Sequence, residues 1–161
     1  EVGAFAAMTQ DLPLHVRFIE LMPMGETGFF SKERWVPLPE ILAAAGPLEP
    51  LTEEERPVGH GPARYYRRPG ARGSVGVISA LSCGFCSSCN RLRLTSSGLL
   101  VPCLDGETGI DLRGPLRGGA ADAELHRLLE ETVRTKPREH SMAAKAEAAV
   151  SNPRLMCAIG G

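Results

Sequence analysis

The stretch from Ser82 to Leu104 holds four of the five cysteines, at 83, 86, 89 and 103, and it limits what the rest of the chain can build. Cys86 and Cys89 are spaced C-x2-C, which on a tight turn lets two thiolates reach one metal centre. Beyond Cys89 the sequence alternates, with Leu92 and Leu94 on one face and Arg91 and Arg93 on the other. That period of two predicts a half-buried strand. Ser96-Ser97-Gly98 is a turn signal and Leu99-Leu100-Val101 a second strand, so the pair reads as a hairpin that returns Cys103 towards the Cys86–Cys89 turn. One element thus supplies a thiolate cluster with two arginines beside it. The spacing leaves the ligand open. Four thiolates (Cys83, Cys86, Cys89, Cys103) would close a tetrahedral zinc site, and the same residue type holds iron–sulfur clusters.

A formal charge of −1 excludes a bulk electrostatic grip on nucleic acid, so any anion has to be bound locally. No apolar run approaches the length of a membrane span, and no secretory pattern opens the chain. Cysteines grouped at metal-like spacing fit a reducing compartment better than a disulfide framework does. A soluble, cytoplasmic chain with no nucleic-acid or membrane partner is the expectation. Its 161 residues suit one domain with a sizeable core, and 18 Gly with 13 Pro predict many loops. The chain starts at Glu1 and reads as a piece of something longer.

In chain order, Glu1–Gln10 reads as the end of a helix that Asp11-Leu12-Pro13 breaks. His15–Met22 reads as a buried strand with Arg17 and Glu20 embedded, and buried charge requires a partner; on the residues alone, Arg17 would pair with Glu20 or another acid. Leu38–Ala45 is a short helix ended by Gly46, Trp35 a packing anchor, and Glu53-Glu54-Glu55 a solvated face. Strands at Gly61–Tyr66 and Ser74–Ala80 flank a Pro69-Gly70 turn and bear Arg64, Arg67, Arg68 and Arg72, a basic hairpin that could meet phosphates, although exposed arginines are the commoner case. With the Arg91–Val101 hairpin, they predict a small antiparallel sheet packed with helices. Asp105–Gly119 reads as irregular. Asp122–Lys136 is the clearest helix, with Asp122 as N-cap and a core stripe of Leu125, Leu128, Leu129, Thr132 and Val133. His140–Ser151 is alanine-rich and helical, and Asn152–Gly161 shows no periodicity.

Phe85–Thr95, with Gly98 and Cys103-Leu104, resembles the second-cluster motif of the GTP 3′,8-cyclase family, radical S-adenosylmethionine enzymes that open molybdenum cofactor biosynthesis. Val16–Pro23, Gly61–Tyr66, Asp111–Arg113 and Ile159-Gly160-Gly161 match in the same order. The resemblance implies an α+β fold. Residues 1–30 would end an incomplete radical S-adenosylmethionine α/β (TIM-like) barrel, its last strand at about 15–22. Residues 31–161 would form a C-terminal iron–sulfur and GTP-binding domain, a small antiparallel sheet with helices, with a functional tail at 152–161.

The resemblance also implies site residues. Cys86, Cys89 and Cys103 would hold a [4Fe–4S] cluster with one iron open to the guanine of GTP. Arg17, Arg91 and Arg93 would bind the substrate, Met22 would lie near the S-adenosylmethionine adenine, and the catalytic Gly160 and Gly161 would insert into the active site. Cys83 has no counterpart among those ligands and reads as a bystander, as does Cys157. The C-x3-C-x2-C motif of the first cluster does not occur in these residues. S-adenosylmethionine and that cluster would therefore belong to a missing N-terminal barrel half, on the same or another chain, with a homodimer as one option for the full enzyme. The isolated chain would be inactive and would expose a barrel edge. The alternative is a non-catalytic zinc or iron–sulfur module using all four cysteines, which Cys83→Ser would distinguish.

Overall fold

A computed structural model describes residues 1–25 and 28–155. It divides into two compact units, one made of Glu1–Met22 and Glu33–Phe85, the other of Pro23–Lys32 and the chain from Cys86 onward.

The first unit contains α1 (Val2–Asp11), β1 (His15–Ile19), α2 (Leu38–Ala45), β2 (Glu49–Pro50), β3 (Arg64–Arg67) and β4 (Ser74–Ile78). Its sheet has the order β1-β4-β3-β2. β4, paired on both sides, is the most apolar strand, and Val75 and Val77 are fully buried. They meet Phe18 of β1, Val2 and Ala6 of α1, and Leu38, Ile41 and Ala45 of α2. Both helices therefore cover one face of the sheet.

Two expectations change here. The Gly61–Tyr66 and Ser74–Ala80 strands do not share a sheet with the Arg91–Val101 hairpin, whose strands form a separate one, and their own sheet is not all antiparallel, since β1 pairs parallel to β4, His15↔Ser74 through Ile19↔Ile78. Parallel pairing needs a long crossover, which α2, β2 and β3 provide between the two strands. Nor is β1 a buried strand. His15, Arg17 and Ile19 are exposed and only Val16 and Phe18 are half-buried, because the helices cover only the face those two residues occupy.

Glu20, 1% exposed, does not pair with Arg17. Its carboxylate accepts the backbone N–H groups of Leu38 at 2.9 Å, Leu81 at 2.7 Å and Ser82 at 2.9 Å.

The second unit contains a 3-10 turn at Cys86–Ser88, β5 (Arg93–Leu94), β6 (Leu99–Val101), β7 (Ile110–Asp111), α3 (Arg113–Arg117), α4 (Asp122–Arg134) and α5 (Met142–Glu147). Its sheet runs β5-β6-β7, antiparallel throughout. β7 and α3 lie where the sequence read as irregular. β7 is too short to show a period, and Gly114-Pro115 in α3 disguises a helical turn. Ala121, not Asp122, is the N-cap of α4, and it makes no side-chain cap. The helix buries Leu128 and Thr132 and leaves Leu129 and Val133 exposed, a narrower stripe than expected. The buried Thr132 hydroxyl donates to the Leu128 carbonyl.

Asp105 and Asn152, both buried, tie this unit together. Asp105 accepts from Ser141 N–H at 2.8 Å, Ser141 Oγ at 2.7 Å and Lys145 Nζ at 2.7 Å. Asn152 Nδ2 donates to the Asp105 carbonyl at 3.0 Å, and Asn152 pairs with Met24 through a parallel bridge. Burial pushes the Asp105 carboxyl up, but the hydrogen bonds from Lys145, Ser141 and Asn152 outweigh it and hold the group below its ordinary range. No helix among the described residues is long and apolar enough to cross a membrane. Cys157, Gly160 and Gly161 lie outside the described residues.

Candidate functional site

The 3-10 turn brings the backbones of the first two candidate thiolates together, Cys89 N–H donating to the Cys86 carbonyl at 3.2 Å. β5 and β6 then pair Arg93↔Val101 and Leu94↔Leu100; carried further along the same ladder, Arg91 would stand opposite Cys103. The reversal is tight because Thr95 bonds Leu99 through both backbone and hydroxyl, and Gly98 takes φ +85°, a conformation that costs glycine little. A β-carbon on Gly98 would also stand 2.4 Å from Arg113 Cβ.

Burial does not follow the alternation. Leu94 is 58% exposed, whereas Arg91, Leu92 and Arg93 are all half-buried. A period of two separates neighbours onto opposite faces without deciding which face is covered.

Beyond the ladder, a residue from the far side of α4 takes over. Lys136 Nζ donates to the Arg91 carbonyl and to the Pro102 carbonyl, both at 2.7 Å, and so joins the segment after Cys89 to the residue before Cys103. The sequence marked Lys136 only as the end of a helix, and no spacing signal distinguishes it. Lys136→Met leaves both carbonyls without this donor. It is expected to cost the second unit about 2 kcal/mol and to speed amide exchange in β5 and β6, with hydrogen exchange as the measurement.

Cys86, Cys89 and Cys103 are free, half-buried thiols. Three soft, uncommitted sulfur donors on segments joined by a turn, a hairpin and a lysine clamp fit an iron–sulfur group by donor chemistry. The side chains themselves are not gathered: among the described residues no three Cys, His, Asp or Glu groups stand close enough to hold a metal ion. Cys83 belongs to the first unit, where it packs against the Leu38–Ile41–Val77 cluster.

Arg17 and Met22 also belong to the first unit. Met22 follows β1 and is half-buried. Arg17 is exposed on the sheet face that the helices leave open. Its Nε donates to Tyr65 Oη at 2.6 Å, and its guanidinium carbon lies 5.5 Å from the Tyr65 ring centre. Neither Tyr65 nor Glu20 was singled out for this part by the sequence, since both partnerships run between residues far apart in the chain.

The family described as Molybdenum Cofactor Synthesis C matches residues 14–142. The chain is 48% identical over 143 residues to a GTP 3′,8-cyclase of Pelotomaculum thermopropionicum, covering 88% of this chain and 44% of that protein. It is 46% identical over 163 residues to the GTP 3′,8-cyclase of Heliobacterium modesticaldum, and 45% over 164 to that of Moorella thermoacetica. Those alignments take in 100% of this chain and 49% and 48% of the relatives. The chain therefore spans about half the length of the curated relatives it matches.

Proposed function

We propose, since this chain belongs to the Molybdenum Cofactor Synthesis C family, that it is the substrate-binding C-terminal part of a GTP 3′,8-cyclase. The whole enzyme would convert GTP to (8S)-3′,8-cyclo-7,8-dihydroguanosine 5′-triphosphate in the cytoplasm, the first step of molybdenum cofactor biosynthesis. Cys86, Cys89 and Cys103 are the ligands of a [4Fe–4S] cluster in this reading. With three protein thiolates, such a cluster has one iron left to take a nitrogen or oxygen of the guanine.

Arg91 and Arg93 bind the triphosphate. Guanidinium groups meet phosphate oxygens in pairs and stay charged at any working pH. Arg17 adds a third such group. Met22 would border the S-adenosylmethionine adenine, and Gly160-Gly161 would enter the site. In this reading β1 is the last strand of the barrel. β1, at the end of the sheet order, offers the edge against which the other barrel half would pair. That half would carry the first cluster and S-adenosylmethionine.

The observation that carries the reading is three free thiols on a turn and the clamped hairpin that follows it, with two half-buried arginines between them in the chain. Anaerobic reconstitution tests it. About four irons and four sulfides per hairpin site are expected, lost in Cys86→Ala, Cys89→Ala or Cys103→Ala and retained in Cys83→Ser, with GTP perturbing the cluster spectrum. Zinc in place of iron, released by Cys83→Ser, would overturn the reading in favour of a four-cysteine structural module.

A further inference from the structure

We propose that Tyr65 is a positioning residue that holds the Arg17 guanidinium ready for a phosphate group, and that Gly76 is bare because the two side chains meet above it. The inference rests on the reading that Arg17 binds the substrate's phosphates.

The register places the three residues in one row. Arg17 of β1 stands beside Gly76 of β4, and Gly76 beside Tyr65 of β3. Side chains at paired positions point to the same face, here the face that α1 and α2 leave open. Arg17 and Tyr65 are two strands apart, a gap that a side chain on the central strand would fill. The glycine leaves it empty, and the arginine reaches across to the phenol.

Contact between them uses the inner nitrogen of the guanidinium. Nε is taken by Tyr65 Oη at 2.6 Å, and the guanidinium carbon lies over the ring, 5.5 Å from its centre, within the range of a cation–π contact. Neither Nη atom bonds a protein group among the described residues. The two outer nitrogens therefore present a fork, the arrangement that takes two oxygens of one phosphate. An exposed arginine ordinarily gives up rotamer freedom when it binds an anion; the phenol removes part of that freedom beforehand.

Space above Gly76 is fully used. A β-carbon there would stand 2.9 Å from Tyr65 Cε1 and 3.2 Å from Arg17 Cγ. Even a methyl group would separate the pair while leaving both side chains in the sequence.

The test uses the full-length protein with two probes, inorganic tripolyphosphate and guanosine, which carry the phosphates and the base separately. Tyr65→Phe keeps the ring and loses the hydrogen bond. It is expected to weaken tripolyphosphate binding about three- to tenfold with guanosine binding unchanged, and Gly76→Ala to weaken it at least as much. Arg17→Ala is the reference. If it leaves tripolyphosphate affinity unaltered, the phosphate-binding reading of Arg17 fails. If Arg17→Ala weakens tripolyphosphate and Tyr65→Phe does not, that reading stands and the positioning inference is overturned. Equal weakening of both probes by Tyr65→Phe would likewise overturn it, by showing a general loosening of the sheet.

Discussion

Asp105→Ala is expected to destabilise the second unit by about 3–5 kcal/mol, the usual range for breaking a buried ion pair from one side. The Asp105 side chain is 4% exposed and takes the Ser141 amide, the Ser141 hydroxyl and the Lys145 ammonium. Removing it leaves Lys145, only 20% exposed, with the solvated Glu107 at 3.7 Å as its remaining acid. The start of α5 loses its anchor at the same stroke, because Ser141 is the residue before that helix. Asp105→Asn separates charge from shape: it can keep one acceptor for Ser141 and cannot neutralise Lys145, so it should fall between the parent and the alanine variant. Trp35, the sole tryptophan, lies in the other unit. Hydrogen exchange in α4 and α5, not tryptophan emission, is therefore the measurement. A loss below about 1 kcal/mol would show that water replaces the carboxylate freely.

The same group sets a pH dependence. Its carboxyl is held more acidic in the fold than in the unfolded chain, where an aspartate titrates at about 3.9. A depressed folded value contributes stability that is complete above the unfolded value and disappears as pH falls through the folded one. The second unit should therefore lose stability in acid from about pH 4 downward, and Asp105→Asn should flatten that part of the profile.

Much of this architecture could be read in the chain because its signals are local. The Ser96-Ser97-Gly98 turn, the Leu38–Ala45 helix and the body of α4 each rest on residues within a few positions of one another, and each appears where expected. Burial along Arg91–Leu94 is not local in this way, since its cover comes from elsewhere in the chain. The site is legible to the same degree. Its cysteines advertise themselves by spacing, whereas Lys136 reaches Arg91 across 45 residues, Asn152 reaches Asp105 across 47 and Arg17 reaches Tyr65 across 48. A single lysine, asparagine or tyrosine carries no period and no motif, so its partner emerges only from the fold. Parallel pairing of β1 with β4 belongs to the same class: alternation predicts strands, and the crossover chooses their neighbours.

Glu20→Ala is expected to cost the first unit about 3 kcal/mol or more, because it strips the acceptor from three backbone donors at once. Those donors come from two places that the sheet alone does not join. Leu38 N–H opens α2, whose N-cap is Pro37 with no side-chain cap of its own, so Glu20 serves that helix as a cap supplied from the end of β1. Leu81 and Ser82 follow β4, and their amides converge on the other carboxylate oxygen. One side chain thereby fixes the exit of β1, the exit of β4 and the entry of α2. Ser82 Oγ, at 3.2 Å from the Leu38 nitrogen, can keep part of the cap but nothing at Leu81. Glu20→Gln retains one acceptor oxygen and turns an NH2 towards the remaining donors, so it should recover less than half of the loss. Urea unfolding followed by Trp35 emission reports directly on this unit. A glutamine variant as stable as the parent would mean that a single oxygen suffices and that the second pair of bonds is incidental. A large loss in both variants would identify the buried carboxylate as what holds β1, and with it Arg17, in register with β4.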